Sequence, residues 1–112
     1  MAVKVLKNQD VKRVVAFIPR GHRHVRLAIE TSWGDMVILQ QAVVDAVLRA
    51  YVQVAAHPVR RGVELRLARI GEELRKKGFA EWQLVESSRP EDDVVEELTR
   101  TYLDALLKEG GR

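Results

Sequence analysis

The chain has 112 residues, of which 46% are hydrophobic and 31% charged, with a formal net charge of +3 and no cysteine. This length suits one domain with a modest core, and the lack of cysteine excludes disulfides, thiolate metal sites and thiol nucleophiles. No apolar run approaches the roughly 18 residues of a membrane span and the amino terminus lacks the apolar core of a signal peptide, so we expect a soluble, cytoplasmic protein.

The amino-terminal part of the chain is predicted to be an antiparallel meander. Residues 11–18, VKRVVAFI, are rich in β-branched and aromatic types and stop at Pro19, which predicts a strand. The sequence PRGH predicts a turn in which Gly21 takes a positive φ. Residues 23–29 then alternate between polar and apolar types as a second strand, and MVIL follows the turn TSWGD as a third.

The middle of the chain is predicted to be helical. Apolar residues recur at helical spacing over residues 40–56, and a proline ends this first helix. Residues 59–77 fit two patterns: a helix with one apolar stripe, or a strand in which alternate residues are apolar. We predict a helix because five stripe positions outnumber three alternating ones, although Gly62 and Gly71 would each cost a helix interior about 1 kcal/mol.

The carboxy-terminal part adds a strand at 79–86, FAEWQLVE, and a helix from Val94 to Lys108 that ends at Gly110-Gly111. The order β-β-β-α-α-β-α predicts an α+β domain, with a four-stranded antiparallel sheet, helices packed on one face and a cleft on the other. The predicted parts of the single domain 1–112 are a flexible amino terminus at 1–10, a sheet-and-helix core at 11–86, and a linker with the carboxy-terminal helix at 87–112.

No metal, cofactor or catalytic residue is predicted. His22 and His24 would point the same way on a strand, but a zinc site needs a third ligand. The only other histidine, His57, lies after the first helix, and the neighbouring arginines would repel a cation. None of the three serines sits in a nucleophile elbow, and no glycine-rich phosphate loop follows a strand.

Positive charge is concentrated in residues 1–70, which carry 12 Lys and Arg against 5 Asp and Glu, whereas residues 71–112 carry 7 against 11. Arginine donates paired hydrogen bonds to phosphates, and the bases of a single strand stack on exposed aromatic rings. Tyr51 and Tyr102 lie on apolar stripes and are predicted to be core. The candidate nucleic-acid-binding residues are Lys12, Arg13, Phe17, Arg20, His22, Arg23, His24, Arg26, Trp33, Arg60, Arg61, Phe79 and Trp82.

Three stretches, VVAFIPRGHRHVR, RAYVQVAAHPVRR and FAEWQLVE, together resemble the ThermoDBP family, single-stranded DNA-binding proteins of hyperthermophilic archaea. The resemblance covers residues 11–86. It implies a sheet and helices around an extended cleft that is flanked by arginines and lined by aromatic side chains. The chain departs from the family in having only two phenylalanines and in lacking a long leucine-zipper tail, since its last helix offers at most two heptads for pairing.

The expected function is therefore non-enzymatic binding of single-stranded DNA with low sequence specificity. RNA stays open as a ligand, because no residue indicates a reader of the 2′-hydroxyl. The carboxy-terminal helix is a candidate contact for a homo-oligomer. The alternative is an interaction or assembly subunit of a thermophilic complex, with no nucleic-acid ligand, in which the arginines form ion pairs; an enzyme of unrecognised type ranks below both.

Overall fold

The computed structural model describes residues 2–110. After a short 3-10 turn at Asn8–Asp10, the strands and helices follow in the order β1 (Val11–Phe17), β2 (Arg26–Thr31), β3 (Met36–Leu39), α1 (Gln41–Ala55), β4 (Leu65–Arg69), β5 (Trp82–Glu86) and α2 (Glu91–Gly110). β1, β2 and β3 form one antiparallel sheet, and β4 and β5 form another. The predicted α+β class is confirmed. None of the helices in this described part is both long and apolar enough to cross a membrane.

The predicted arrangement of these elements is wrong. Over residues 2–110 the chain has two helices and two small sheets, in place of a single four-stranded sheet with three helices and a cleft. The error arises at residues 59–77, where the predicted helix is replaced by β4 and turns. Leu65 and Leu67 pair with Glu86 and Leu84 of β5, and this cross-strand pairing outweighs the apolar stripe that a helix would present. The two glycines of the segment also disfavour a helix.

Residue contacts divide the chain into two units. Unit 1 comprises Met1–Asp45 and Glu96–Arg112, and unit 2 comprises Ala46–Val95. The three-stranded sheet belongs to unit 1 and the two-stranded sheet to unit 2. Each unit is therefore built on its own small sheet.

The apolar interior is small. The buried apolar residues are Ala28, Ala46, Val94 and Ala105, and no large side chain in the described part of the chain is fully buried. Tyr51 and Tyr102, predicted to be core, are 68% and 51% exposed, so that prediction is wrong. Helical spacing of apolar residues shows that a helix face is apolar, but it does not show that the same chain covers that face.

The turn between β1 and β2 confirms the prediction made from PRGH. The His22 backbone N–H donates to the Pro19 carbonyl at 2.9 Å, and Gly21 has a φ of 84°, which a glycine adopts without steric cost. β2 begins only at Arg26, so residues 23–25, predicted as strand, lie in the loop instead. The turn itself closes between Pro19 and His22, whereas the strand pair nearest to it is Phe17 with Arg26.

The turn between β2 and β3 is held by a threonine. The buried Thr31 accepts a hydrogen bond from the Asp35 backbone N–H at 3.0 Å through its hydroxyl, and this hydroxyl donates to the Asp35 carbonyl at 3.1 Å. Gly34 supplies the positive φ of 100°. The chain therefore reverses here with its buried hydroxyl satisfied on both sides.

The first and the last of the three predicted helices are confirmed, with shifted ends. α1 matches the prediction to within one residue at each end. α2 begins three residues early, with the acidic run EDD in its first turn, where carboxylates favour the positive end of the helix dipole. The structure describes this helix as far as Gly110; the Gly111 of the predicted helix end lies outside the described residues.

Candidate functional site

The predicted binding residues are divided between the two units. Unit 1 holds Lys12, Arg13, Phe17, Arg20, His22, Arg23, His24, Arg26 and Trp33, whereas unit 2 holds Arg60, Arg61, Phe79 and Trp82.

The loop between β1 and β2, residues 18–25, is named the basic loop. Every residue in it except Pro19 is exposed. Arg20 and Arg23 form no ion pair with any described residue, and Arg26, the first residue of β2, only donates from Nη1 to the His24 carbonyl at 3.0 Å. The loop therefore presents guanidinium groups to solvent with no carboxylate of the described chain to neutralise them.

Apolar side chains lie at the base of the basic loop. Phe17 ends β1 directly opposite Arg26 of β2 and is half-buried. Ile18 and Val25, the first and last residues of the loop, are exposed. The sequence reasoning missed Ile18 and Val25 because it assigned both to strands, whose apolar residues are usually covered.

β1 carries two of the predicted cations, and they differ in environment. Arg13 pairs with Glu30 on the neighbouring strand, with Nε 2.6 Å from Oε1. Lys12 sits at the β-bulge between Val11 and Arg13 and is exposed. Since Arg13 already has a carboxylate partner, Lys12 is the better placed of the two to contact an outside anion.

Trp33 already has partners within unit 1. Its indole N–H donates to Asp35 Oδ2 at 2.8 Å, and the Lys4 ammonium lies 4.7 Å from the ring centroid. This is a cation–π contact, and it occupies one face of the ring. Trp33 is still 47% exposed, but only one of its faces is open for stacking.

Arg60, in unit 2, is the centre of a hydrogen-bonded network. Its guanidinium donates to Gln53 Oε1 at 2.7 Å, to Glu86 Oε2 at 3.1 Å and to Glu91 Oε1 at 3.5 Å. Its side chain is only 28% exposed. Arg60 therefore ties together three segments of unit 2, and its guanidinium is already engaged by these partners. Its neighbour Arg61 is exposed and forms no ion pair with a described residue.

A second charged pair lies beside this network. Glu64 accepts from Arg89 Nη1 at 3.0 Å. A hydrogen bond from the Ser87 hydroxyl lowers the pKa of Glu64 below its ordinary value of 4.5, partly opposed by burial, and the positive charges of Arg89 and Arg66 lower it further. Glu64 is therefore ionised at neutral pH and acts as a structural anion of unit 2.

Trp82 lies on an open face of the two-stranded sheet. It pairs with Arg69 across the strands, and Leu67 and Leu84 form the next pair on the same face. Trp82 is 57% exposed and Leu67 is 66% exposed, so both apolar side chains are open to solvent. Leu67 escaped the sequence reasoning because its segment was predicted to be helical, and the unused alternation of residues 63–67 was the signal that could have found it.

The prediction that Phe79 and Trp82 share a strand is wrong, because β5 starts at Trp82. It lies instead in a turn closed by its own N–H, which donates to the Lys76 carbonyl at 3.0 Å, with Gly78 at a φ of 85°. The predicted strand 79–86 is therefore shortened at its start, because Phe79 belongs to this turn. Phe79 is exposed.

No group of three or more His, Cys, Asp or Glu side chains within residues 2–110 is arranged to hold a metal ion. No family model matches the chain, and searches of the curated proteins and of the solved structures find no significant match.

Proposed function

We propose that this protein binds single-stranded nucleic acid, DNA or RNA, without catalysis and with little sequence preference. The observation that carries the proposal is the basic loop, whose Arg20 and Arg23 are exposed and have no anionic partner among the described residues. Unpaired, exposed guanidiniums contribute little to folding stability but suit phosphate oxygens well. The sequence resemblance to the ThermoDBP family favours the same function, and kinship with that family is part of what we propose.

The exposed aromatic side chains support single strands over duplexes as the ligand. A basic surface alone favours the duplex, whose charge density is higher. Trp82, on the open face that it shares with Leu67, offers a surface on which unpaired bases can stack. Phosphate contacts carry no sequence information, and stacking accepts every base, so low specificity follows from both.

The test is a binding titration with labelled single-stranded DNA, single-stranded RNA and duplex DNA of equal length, repeated over a range of salt concentrations. Each phosphate contact contributes about −0.7 to the log–log slope on single strands, so contacts from three arginines give a slope of about −2. We expect tighter binding to the single strands than to the duplex. Equal or tighter binding to the duplex, or a slope of zero, contradicts the proposal.

A pair of variants assigns the binding to the basic loop. Removing two phosphate contacts with Arg20→Ala and Arg23→Ala should weaken single-strand binding by about tenfold, equally for all sequences. The matched control is Arg75→Ala with Arg100→Ala, which removes the same charge from side chains that pair with Glu72 and Glu96. If the two double variants weaken binding equally, overall charge and not the loop is responsible.

The second candidate function is that of an interaction subunit, and exposed apolar residues favour it. β3 exposes Met36, Val37 and Ile38 in succession at one edge of the three-stranded sheet, and α1 exposes a row of large apolar side chains. Exposed patches of this kind usually mark contacts with other proteins. A chain that binds none of the three oligonucleotides would favour this function over the first.

A further inference from the structure

Two histidines lie among the arginines of the basic loop. His22 and His24 are both exposed, and neither imidazole forms an ion pair or a hydrogen bond with a described residue. Their backbones, by contrast, are held. The His22 N–H donates to the Pro19 carbonyl at 2.9 Å, and the His24 carbonyl accepts from Arg26 Nη1 at 3.0 Å. The folded chain therefore fixes the position of the two residues and leaves both rings open to an outside group.

Both rings lie within reach of the phosphates that the proposed interface holds. His22 and His24 stand on either side of Arg23 in the chain, and consecutive Cα atoms are about 3.8 Å apart. The hydrogen bond to its carbonyl also keeps His24 beside the Arg26 guanidinium. A phosphate that accepts hydrogen bonds from Arg23 or Arg26 therefore has an imidazole next to it.

The surroundings of the two rings are cationic. The basic loop contains no Asp or Glu, and the charged side chains next to the histidines are Arg20, Arg23 and, at the start of β2, Arg26. The nearest carboxylate along the chain is that of Glu30, which pairs with Arg13. No carboxylate of the loop can therefore neutralise a protonated imidazole, whereas the phosphate oxygens of a bound strand can.

We propose that the binding of single-stranded nucleic acid to the basic loop takes up protons from solvent at His22 and His24, so that the affinity rises as the pH falls from about 8 to about 5.5. Histidine is the side chain whose charge ordinarily changes in this range. A neighbouring phosphate favours the charged imidazole, and linkage requires that the proton favour phosphate binding equally. The proposal rests on the proposed function and adds the regulation of the same site.

Binding titrations at about pH 8 and about pH 5.5, each repeated over a salt series, test the proposal. The ligand is an oligothymidine without a terminal phosphate, because neither its bases nor its phosphodiesters titrate between these pH values. We expect the wild type to bind about tenfold more tightly at the lower pH, because two exposed cations are added to the interface. Two additional phosphate contacts should also steepen the log–log salt slope by about 1.4.

Substitutions of the histidines assign the effect to the basic loop. His22→Gln with His24→Gln should lose most of the rise in affinity between the two pH values. His22→Lys with His24→Lys should bind tightly at both, because the charge of its lysines does not change in this range. The control is His57→Gln in unit 2, whose imidazole Nδ1 accepts from the Val59 backbone N–H at 3.4 Å. This control should keep the full rise, and circular dichroism checks that each variant folds.

The outcomes separate a failure of this proposal from a failure of the binding itself. If the wild type binds equally well at both pH values, or if the glutamine variant keeps the full rise, proton uptake is overturned while single-strand binding stands. If His57→Gln removes the rise, the protons do not bind at the basic loop, and the proposal is again overturned. A wild type that binds the oligonucleotide at neither pH overturns this proposal together with the proposed function.

Discussion

The two units of the chain differ in which of their arginine and tryptophan side chains are open to a ligand. In unit 1, Arg20 and Arg23 are exposed and unpaired, whereas the ring of Trp33 is already in contact with Lys4. In unit 2, Arg60 is held by Gln53, Glu86 and Glu91, whereas Trp82 and the neighbouring Arg61 are open. The comparison shows that residue type alone does not identify a binding residue. What identifies it is whether the folded chain already supplies the partner.

The largest effect is expected from Trp82. Stacking of one base on an aromatic ring contributes about 1–3 kcal/mol, so Trp82→Ala should weaken single-strand binding by that amount, with Trp82→Phe retaining most of it. Trp33→Ala should weaken binding less, because Lys4 covers one face of that ring. Oligonucleotide titrations of the three variants, with thermal unfolding as the folding control, measure this. A larger loss from Trp33→Ala would reverse the assignment of the two rings.

The next effect is expected from Arg60, and it falls on stability. Arg60→Ala leaves Gln53, Glu86 and Glu91 without their shared donor, so the free energy of unfolding should fall by about 1–2 kcal/mol. Urea unfolding measures this loss, and Arg61→Ala is the control because Arg61 is exposed and unpaired. Unchanged stability in Arg60→Ala would show that the network does not hold unit 2 together.

The features that the sequence predicts well are local ones. The turn at Gly21 follows from PRGH, and α1 and α2 follow from apolar spacing and proline positions within the same segments. The features it does not predict depend on distant partners. β4 exists because β5 pairs with it, and the acidic partners of Arg60 lie 26 and 31 residues away along the chain. A count of arginines near a loop cannot separate the paired from the unpaired ones.

A smaller, pH-dependent effect is expected from Glu64. Its folded-state pKa is lower than its unfolded value, so its carboxylate stabilises the fold at neutral pH. This stabilisation is lost as the pH falls through the lowered folded-state pKa. The wild type should therefore be more stable than Glu64→Gln at pH 7, and the difference should shrink as the pH is lowered below 4.5, the ordinary pKa of the carboxyl group. Urea unfolding at a series of pH values measures the difference. A gap that stays constant with pH would show that the carboxylate charge is not its source.

The smallest effect on stability is expected from the basic loop, and it is the prediction on which the contrast between paired and unpaired arginines depends most. Arg20→Ala with Arg23→Ala removes side chains that have no described partner, so the free energy of unfolding should change by no more than about 0.5 kcal/mol. Removing two neighbouring positive charges even relieves their mutual repulsion slightly. Urea unfolding of this double variant beside Arg60→Ala makes the comparison within one protein. If the double variant loses as much stability as Arg60→Ala, the loop arginines are structural, and their weakened binding could no longer be attributed to lost phosphate contacts.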